Sequence, residues 1–535
     1  MKHIRLVGTG AIILMLALCL AASIGYTALH GNLERSSYAE PLPVAPIDED
    51  PTAGINDDFT INSNFSSHLP LVILDMGGKE PPITTKGIQG ENRYAEIEGI
   101  DPYVWGSFTL IDGNDGENRI TDPYVAQSFM RIKRRGNSSM HYEKAQYSIK
   151  LLTASGQDND LDLLGMGAEH DWILNGSSAD KSMLRNYLAY YVSSQVLPYT
   201  PDSRYCEVII KTGTSYVYQG VFLLTESIEQ GINRVDIQEF SATQPFNSFL
   251  LRRDRYDETD DRILDIEVPG GSVENHTSYF YCLYPGRASI TEEQKLYIEN
   301  QITKIENVLY SDDKDIFQTY PEYIDVDSFV DYFVINEYFG SYDAGQYSTY
   351  LYQDIGGKLT IGPVWDFDGA MDNARSEMLE TEVTSMQTKP WFERLCKDKT
   401  FLEKVEKRYA ELRRDLLSDQ NIDALMEDIQ KYLGGAIDRE WMRWDSLYTQ
   451  RHRFSLHDTV DSDGNLLIRE TTRYDQEITR IRAALRNHGD ALSARLDVLM
   501  KSVEFETGVS EYQGVLLFAV AMMFLVPAYY ISYRK

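Results

Sequence analysis

The stretch Gly362-Pro363-Val364-Trp365-Asp366-Phe367-Asp368-Gly369 places one carboxylate on each side of an aromatic residue. It follows closely after the segment Asn336-Glu337-Tyr338-Phe339-Gly340-Ser341-Tyr342-Asp343. Paired carboxylates suit a hard cation such as Mg²⁺, which binds one or two acids and leaves positions open for phosphate oxygens. The carboxylate of Asp343 would then orient a hydroxyl group for attack on phosphate. The same pattern also fits a strand end with solvated acids, because the chain is rich in acidic residues.

Two predicted elements lead into this stretch. Apolar residues recur at helical spacing across residues 324–337, which predicts a helix that runs toward Asp343. Residues 347–354 and 358–361 read as two strands joined by a turn at Ile355-Gly356-Gly357. This hairpin would present Asp366 at its exit, on a rigid scaffold of the kind that holds ligands.

The composition restricts the class of partner. The chain has 51 Lys plus Arg against 82 Asp plus Glu, a formal charge of −31, while 43% of its residues are hydrophobic. That apolar fraction is typical of a globular protein, so the negative charge belongs to the surface. A polyanion repels nucleic acid and anionic lipid, and we therefore expect no nucleic-acid partner. A phosphate ligand would need a local basic patch, a metal ion, or both.

The densest basic cluster is Arg131-Ile132-Lys133-Arg134-Arg135-Gly136-Asn137-Ser138-Ser139. A strand ending in this polar turn would present backbone N–H groups, which is how loops bind anions. The next predicted strand, residues 145–151, brings Lys144 and Lys150 near the turn, and lysine is a common phosphate ligand. The alternative is a solvated strand face followed by an ordinary turn.

The remaining patterns predict strands first and helices later. Strands are expected at residues 69–75, 105–111, 126–133 and 249–252, with a hairpin of residues 206–211 and 218–226. A helix is expected at residues 183–195, capped by Asp180 or Ser182, and long helices at residues 401–416, 422–433 and 477–499. Cys206, Cys282 and Cys396 are too few for a disulfide scaffold, although a single bridge stays open.

Both ends carry apolar runs. Residues 6–29 are uncharged and follow Lys2, His3 and Arg5, so we expect residues 1–30 to form an uncleaved transmembrane anchor, with a cleaved signal peptide as the alternative. Residues 512–533 predict a second transmembrane helix, followed by Arg534 and Lys535. The positive-inside rule places both termini in the cytoplasm and the acidic middle outside it. Residues 31–65 would be a stalk that holds the domain off the membrane.

Several short motifs follow one another along the chain. The motifs are Arg134-Arg135-Gly136-Asn137-Ser138-Ser139, Lys144-x-x-Tyr147-x-Ile149-Lys150, Asp171-Trp172, Asp180-Lys181-Ser182-Met183-Leu184-Arg185-Asn186, Gln219-Gly220-Val221-Phe222-Leu223-Leu224-Thr225-Glu226, the 362–368 stretch, Trp391-Phe392-x-Arg394-Leu395 and Arg443-Trp444. Together these motifs resemble those of the CotH family, the spore-coat-H type of atypical protein kinase. The resemblance covers about residues 68–500 and depends on the number and order of the motifs, and we expect the kinase domain to span residues 66–505.

The resemblance implies an α+β, atypical protein-kinase-like fold with a β-rich N-terminal part and a helical C-terminal part. It implies binding of ATP with Mg²⁺ and transfer of the γ-phosphate to serine on surface, envelope or coat-type proteins. By position, Asp343 would be the catalytic acid and Asp366, helped by Asp368, the metal ligand. The phosphates would be bound by the loop residues Arg135, Asn137 and Ser138 and by one of two lysines, Lys144 or Lys150. Glu226 would pair with one lysine or cap a helix.

Two positions depart from the family pattern. Ser341 and Ser348 stand where asparagines are expected, and serine is a poorer cation ligand than an amide carbonyl. A catalytically weak or inactive scaffold is therefore an alternative to a kinase. A third hypothesis, which uses the acids without the family, is a metal-dependent hydrolase of phosphate esters or glycans.

Overall fold

The structure is a computed structural model that describes residues 42–87, 94–113, 116–136, 139–256, 262–266, 278–373, 384–449, 459–460, 466–467 and 473–506. In chain order its strands are β1 (Leu71–Asp75), β2 (Thr85–Gly87), β3 (Tyr94–Glu96), β4 (Val104–Ile111), β5 (Ala126–Arg134), β6 (Tyr147–Leu152), β7 (Leu161–Asp162), β8 (Ala168–Glu169), β9 (Asp171–Asn175), β10 (Ser203–Thr212), β11 (Ser215–Glu226), β12 (Phe249–Arg255), β13 (Ser278–Tyr284), β14 (Thr349–Gln353), β15 (Thr360–Ile361), β16 (Thr459–Val460) and β17 (Leu466–Leu467). Its α-helices are α1 (Arg185–Ser194), α2 (Glu292–Leu309), α3 (Lys314–Phe317), α4 (Val326–Phe339), α5 (Phe392–Leu395), α6 (Lys399–Arg413), α7 (Asp419–Leu433), α8 (Ala436–Tyr448) and α9 (Tyr474–Glu506).

Seven strands close into a barrel in the order β1-β10-β11-β9-β6-β5-β4, and β4 pairs with β1. The β1–β10 pair is parallel and the other neighbours are antiparallel. Along β5 the side chains alternate, so that Met130 and Ile132 are buried while Phe129 faces outward. This period of two fills the barrel with apolar residues from every strand. The strands predicted at residues 69–75, 105–111 and 126–133 are confirmed as β1, β4 and β5.

A second sheet has the order β13-β12-β14-β15. The predicted hairpin of residues 347–361 is confirmed as the antiparallel β14–β15 pair. The predicted helix before Asp343 is α4, which ends at Gly340 in the left-handed conformation (φ 67°) typical of a helix C-terminus. The mixed α+β architecture, β-rich first and helical later, is as expected. Helices α2 and α8 were not predicted.

The stalk expected over residues 31–65 is wrong for the part that is described, residues 42–65. This segment packs on the domain: Ile61 and Phe65 are buried against strands of the barrel, and Thr60 pairs with Val217. Its backbone also reaches the helical part, where Ala45 N donates to Lys431 O (3.0 Å). Burial of the apolar Ile61 and Phe65 side chains favours packing on the domain, because a solvated stalk would leave both exposed to water. Residues 31–41 lie outside the described residues.

In the part of the chain that the structure describes, no helix is both long enough and apolar enough to span a bilayer. The two predicted transmembrane segments, residues 1–30 and 512–533, lie outside the described residues.

Two smaller expectations are corrected. Helix α1 has Leu184 at its N-cap position, while Asp180, ahead of it, accepts a hydrogen bond from Arg185 N (2.9 Å). Cys206, Cys282 and Cys396 are buried and free, so the bridge that had been left open is not formed.

Helix α8 packs on β11 through a buried polar contact. The Glu440 carboxylate accepts hydrogen bonds from Val221 N (2.7 Å) and Lys144 Nζ (2.5 Å), and Trp444 Nε1 donates to Gln219 O (2.9 Å). Gly220 has a φ of +96°, and a Cβ atom there would lie 2.1 Å from Glu440 Oε2. The absence of a side chain at Gly220 is therefore what allows the helix and strand to approach each other.

We predict that Gly220→Ala lowers the free energy of unfolding by about 3 kcal/mol, because left-handed strain adds to overpacking. Gly213→Ala is the matched control: its φ is +62° but nothing lies within 4 Å of the added Cβ, so strain alone should cost about 1 kcal/mol. Denaturant unfolding of both variants measures the difference. Equal losses would contradict the close helix–strand approach.

Candidate active site

The loop that follows β15 carries two of the predicted site residues. Asp366 adopts a positive φ of 67°, and further along Met371 and Asp372 have φ of 52° and 60°. Such conformations cost free energy in residues with a side chain and cluster where function requires them. Between the two acids, Phe367 is fully buried and packs edge-on against Phe339 of α4, with ring centroids 5.8 Å apart. The aromatic residue thus anchors the loop while Asp366 remains accessible.

Asp343 and Asp366 line one small cleft, together with Ser341, Tyr342, Gly369 and Ala370. Asp343 reaches it because α4 ends at Gly340, where Ser341 N donates back to Asn336 O (2.9 Å) and the chain turns. Asp366, proposed from sequence for metal binding, and Asp343, proposed for proton transfer, therefore lie at the same cleft. In the chain they are separated by the β14–β15 hairpin.

Asp366 keeps more than a third of its surface exposed at the cleft, yet protein atoms crowd its other sides. This burial, together with the negative charge of Asp343, raises the pKa of Asp366 to about 6, while Arg135 opposes the rise. The Arg135 guanidinium lies over the Trp365 ring, 5.1 Å from its centroid, and Arg135 N donates to Gln146 O (3.1 Å). The structure thus places Arg135, from the end of β5, beside the Asp366 loop.

Asp368 is buried and bound by side-chain amides. Asn186 Nδ2 donates to its Oδ1, and Gln146 Nε2 approaches its Oδ2 at 3.5 Å. Asn186 Oδ1 in turn accepts from Phe367 N (2.8 Å), so one amide fixes both the loop backbone and the acid. Burial, followed by the charge of Asp366, raises the pKa of Asp368 to about 8.

A buried arginine ties this loop to the rest of the fold. Arg185 Nε donates to Ala370 O (3.0 Å) and its Nη2 to Met371 O (3.3 Å). The same guanidinium pairs with Asp180 (2.5 Å) and with Glu477 of α9 (2.8 Å), and all three side chains are buried. Two acids therefore balance one buried cation and orient it toward the loop carbonyls.

Asp343 is partly buried and bonded to one cation. Arg255 Nη2 lies 3.1 Å from Asp343 Oδ1. Burial raises the pKa of Asp343, whereas the positive charges of Arg255 and Lys389 oppose the rise. Because the two effects act in opposite directions, these cations help to keep the carboxylate ionised.

Neither of the two predicted phosphate lysines lines the cleft. Lys144 is fully buried, with its Nζ bonded to Glu440 Oε1 (2.5 Å) and Val221 O (2.7 Å). Lys150 pairs with Asp158 (3.0 Å) and Asp171 (3.5 Å) on the outside of the barrel. Lys150 lies on β6, four residues beyond Gln146, which is about 13 Å along an extended chain. The ammonium groups therefore bond elsewhere than at the cleft, whereas the expected proximity of the two lysines to the turn at residues 136–139 stays a prediction.

Glu226, Asn137 and Ser138 are the other residues predicted for the phosphate side of the site. Glu226 is buried and forms its ion pair with Arg234 (2.7 Å), not with a lysine, and it accepts a hydrogen bond from Tyr199 Oη (3.0 Å). Asn137 and Ser138 lie outside the described residues.

The donor set at the cleft fits a divalent cation of the Mg²⁺ type. Asp366 offers an accessible carboxylate. Burial, and after it the charge of a neighbouring aspartate, raises the pKa values of Asp366 and Asp368, and a bound cation would relieve both effects. Asp343 and Asp366 at the cleft, with Asp368 buried behind them, do not form a closed cage. Among the described residues, the set of three acid or histidine ligand atoms that come within 4.8 Å of one another belongs to Asp160, Glu169 and His170. Mg²⁺ at nucleotide sites needs only one or two carboxylates, because phosphates and waters complete its shell.

Sequence reasoning missed several residues at and around this site. Arg185 and Asn186 lie in a motif that had been quoted for the family, so a signal existed, but nothing in their spacing indicated contact with the 366–372 loop. Glu440 and Arg255 carried no signal, because their partners are 296 and 88 residues away in the chain.

A family model described as CotH kinase protein matches residues 132–492, which is more than half of the chain. The chain belongs to the CotH kinase family. The match begins within β5 and ends within α9, so it contains every described residue of the cleft. It confirms the resemblance drawn from the motifs, whereas the wider domain boundaries at residues 66 and 505 stay a prediction. No curated protein matches the chain.

We predict that Asp368→Asn reduces the loss of stability that the metal-free protein shows as the pH rises. In the folded protein Asp368 holds its proton up to about pH 8, whereas its ordinary pKa is 3.8. The folded state therefore binds more protons between these values, and the free energy of unfolding falls as the pH increases through this window. The neutral amide has no proton to lose.

The measurement is denaturant unfolding with a metal chelator across that pH range. The stability of Asp368→Asn relative to wild type should increase with pH, and Asp312→Asn, which removes an exposed carboxylate, is the control. A flat difference for Asp368→Asn would contradict the raised pKa.

Proposed function

We propose that the chain is an ATP- and Mg²⁺-dependent protein kinase that phosphorylates serine residues of partner proteins. The observation that supports this most directly is that Asp343 and Asp366 line one cleft, with Arg135 beside the second of them. A carboxylate for the metal, a second for the hydroxyl and a cation for phosphate are the parts that phosphoryl transfer needs.

In this proposal each side chain has one task. Asp366, with Asp368 behind it, would hold Mg²⁺, which when bound neutralises charge on the phosphates. Asp343 accepts the proton of the acceptor serine, and Arg135 contacts phosphate from the barrel side. Lys144 instead contributes to the fold, since its buried pair with Glu440 joins the barrel to α8.

The setting of the reaction is also part of the proposal. The apolar runs at residues 1–30 and 512–533 would anchor the chain in a membrane, with both termini cytoplasmic and the acidic middle outside the cytoplasm. The acceptor would then be a surface, envelope or coat-type protein. An enclosed extracytoplasmic compartment would supply ATP more readily than open medium.

A catalytically weak or inactive scaffold is the second candidate, and one observation favours it. Ser341 lines the cleft where the family pattern expects asparagine, so the site offers one amide ligand fewer. Phosphate transfer by the full-length protein from γ-labelled ATP to a serine-rich peptide separates the two. Nucleotide binding without any transfer would favour the scaffold.

We predict that Asp366→Ala abolishes the stabilisation of the full-length protein by Mg²⁺ with ATP. For wild type a ligand at 100 times its dissociation constant adds about 2.7 kcal/mol, and the melting temperature rises accordingly. The variant loses the accessible carboxylate and should show no rise, although its metal-free form should be at least as stable because one repulsive charge is gone. A thermal-shift titration measures this, with Asp312→Asn as control. An unchanged rise in Asp366→Ala would exclude Asp366 as the metal ligand.

We predict that Asp343→Asn leaves Mg·ATP binding intact but lowers the transfer rate by about 10²- to 10⁴-fold, because an amide cannot accept the hydroxyl proton. Label transfer to the peptide gives the rate, and the thermal shift gives the binding. Transfer at the wild-type rate would refute the role assigned to Asp343.

A further inference from the structure

Arg255 ends β12, the strand that lies between β13 and β14, and its guanidinium reaches the cleft. Its Nη2 lies 3.1 Å from Asp343 Oδ1, and its guanidinium carbon lies 3.8 Å from the centroid of the Tyr347 ring. The group is thus stacked on one side and bonded at one edge. A planar guanidinium held in both ways has little rotational freedom.

The backbone beneath this side chain is fixed as well. Arg255 O accepts a hydrogen bond from Tyr281 Oη (2.7 Å), and Arg255 N donates to Asp254 Oδ1 (2.9 Å). Arg255 also stands opposite Ser278 in the β12–β13 ladder. The sheet therefore fixes the Arg255 backbone, while Tyr347 and Asp343, both in the loop between α4 and β14, hold its guanidinium.

The ion pair between Arg255 and Asp343 contributes little to the stability of the fold. Its side chains are 39% and 18% exposed, and partly exposed pairs contribute at most about 1 kcal/mol. Four charged groups act on Asp343: Arg255, Lys389, Asp254 and, across the cleft, Asp366. Lys389 donates to the Tyr342 carbonyl, and Arg255 bonds the Asp343 carboxylate.

We infer that Arg255 is a positioning residue for Asp343. By bonding Oδ1, its guanidinium fixes the carboxylate plane and leaves Oδ2 as the oxygen that accepts the proton of the acceptor hydroxyl. This inference rests on the proposed kinase function and adds to it a residue that no family motif quoted above contains. Arg255 touches neither phosphate nor metal in this assignment.

The test compares Arg255→Ala and Arg255→Lys in the full-length protein, with γ-labelled ATP and the serine-rich peptide. We expect kcat to fall about 10²-fold in Arg255→Ala, since small misplacement of a catalytic group has effects of this size. The KM for Mg·ATP should stay unchanged. Added guanidinium, far below denaturing concentrations, should restore part of the rate of Arg255→Ala, and Arg255→Lys should retain an intermediate rate.

Arg408→Ala is the matched control. Arg408 pairs with Asp331 (2.6 Å) between α6 and α4, with side-chain exposures of 33% and 14%, so its loss removes a comparable ion pair away from the cleft. Its kcat should equal that of wild type. If Arg255→Ala keeps the rate of the control, or if its KM rises while kcat holds, the inference fails and the kinase proposal stands. If wild type transfers no phosphate, both fall together.

Discussion

The buried guanidinium of Arg185 is the interaction on which the candidate site depends. It bonds the carbonyls of Ala370 and Met371, and it is balanced by Asp180 and by Glu477 of α9. The loop with Asp366 and Asp368 is therefore fixed to two helices through one side chain. Removing one member of such a buried set typically costs about 3–5 kcal/mol, because the remaining charge is left without compensation. The geometry of the cleft is thus linked to the packing of the C-terminal helix.

The cleft concentrates features that would destabilise the fold elsewhere. Burial raises the pKa of Asp366 and of Asp368, with the charge of Asp343 adding to the first rise and the charge of Asp366 to the second. Asp366, Met371 and Asp372 also have left-handed backbones. Compensation comes from neighbours that hold the loop at several points. Asn186 binds Asp368 and Phe367 N, while Arg480 binds the carboxylate and carbonyl of Asp372. Strain maintained by so many contacts is typical of a functional site.

The sequence predicted the elements with strong periodicity and the residues that those elements place together. Strands β1, β4 and β5 and helix α4 followed from spacing, and the turn after α4 together with the β14–β15 hairpin brought Asp343 and Asp366 to one cleft. The ion-pair partners could not be predicted. Lys144 binds a glutamate 296 residues away, and which of the many acids pairs with a buried lysine depends on helix packing that no local pattern encodes. The stalk was misread because the apolar residues of a segment that lies against the barrel show no regular period.

The segment of residues 42–65 has a consequence for how the molecule is made. It leaves the ribosome before the barrel, yet it contacts the last third of the chain: Pro51 O accepts a hydrogen bond from Arg439, 388 residues later. At 5–20 residues per second, roughly 20–80 s separate the synthesis of these two partners. During translation Ile61 and Phe65 can contact only strands that have already been made, and the contacts of Ala45 and Pro51 cannot form before Lys431 of α7 and Arg439 of α8 have been synthesised.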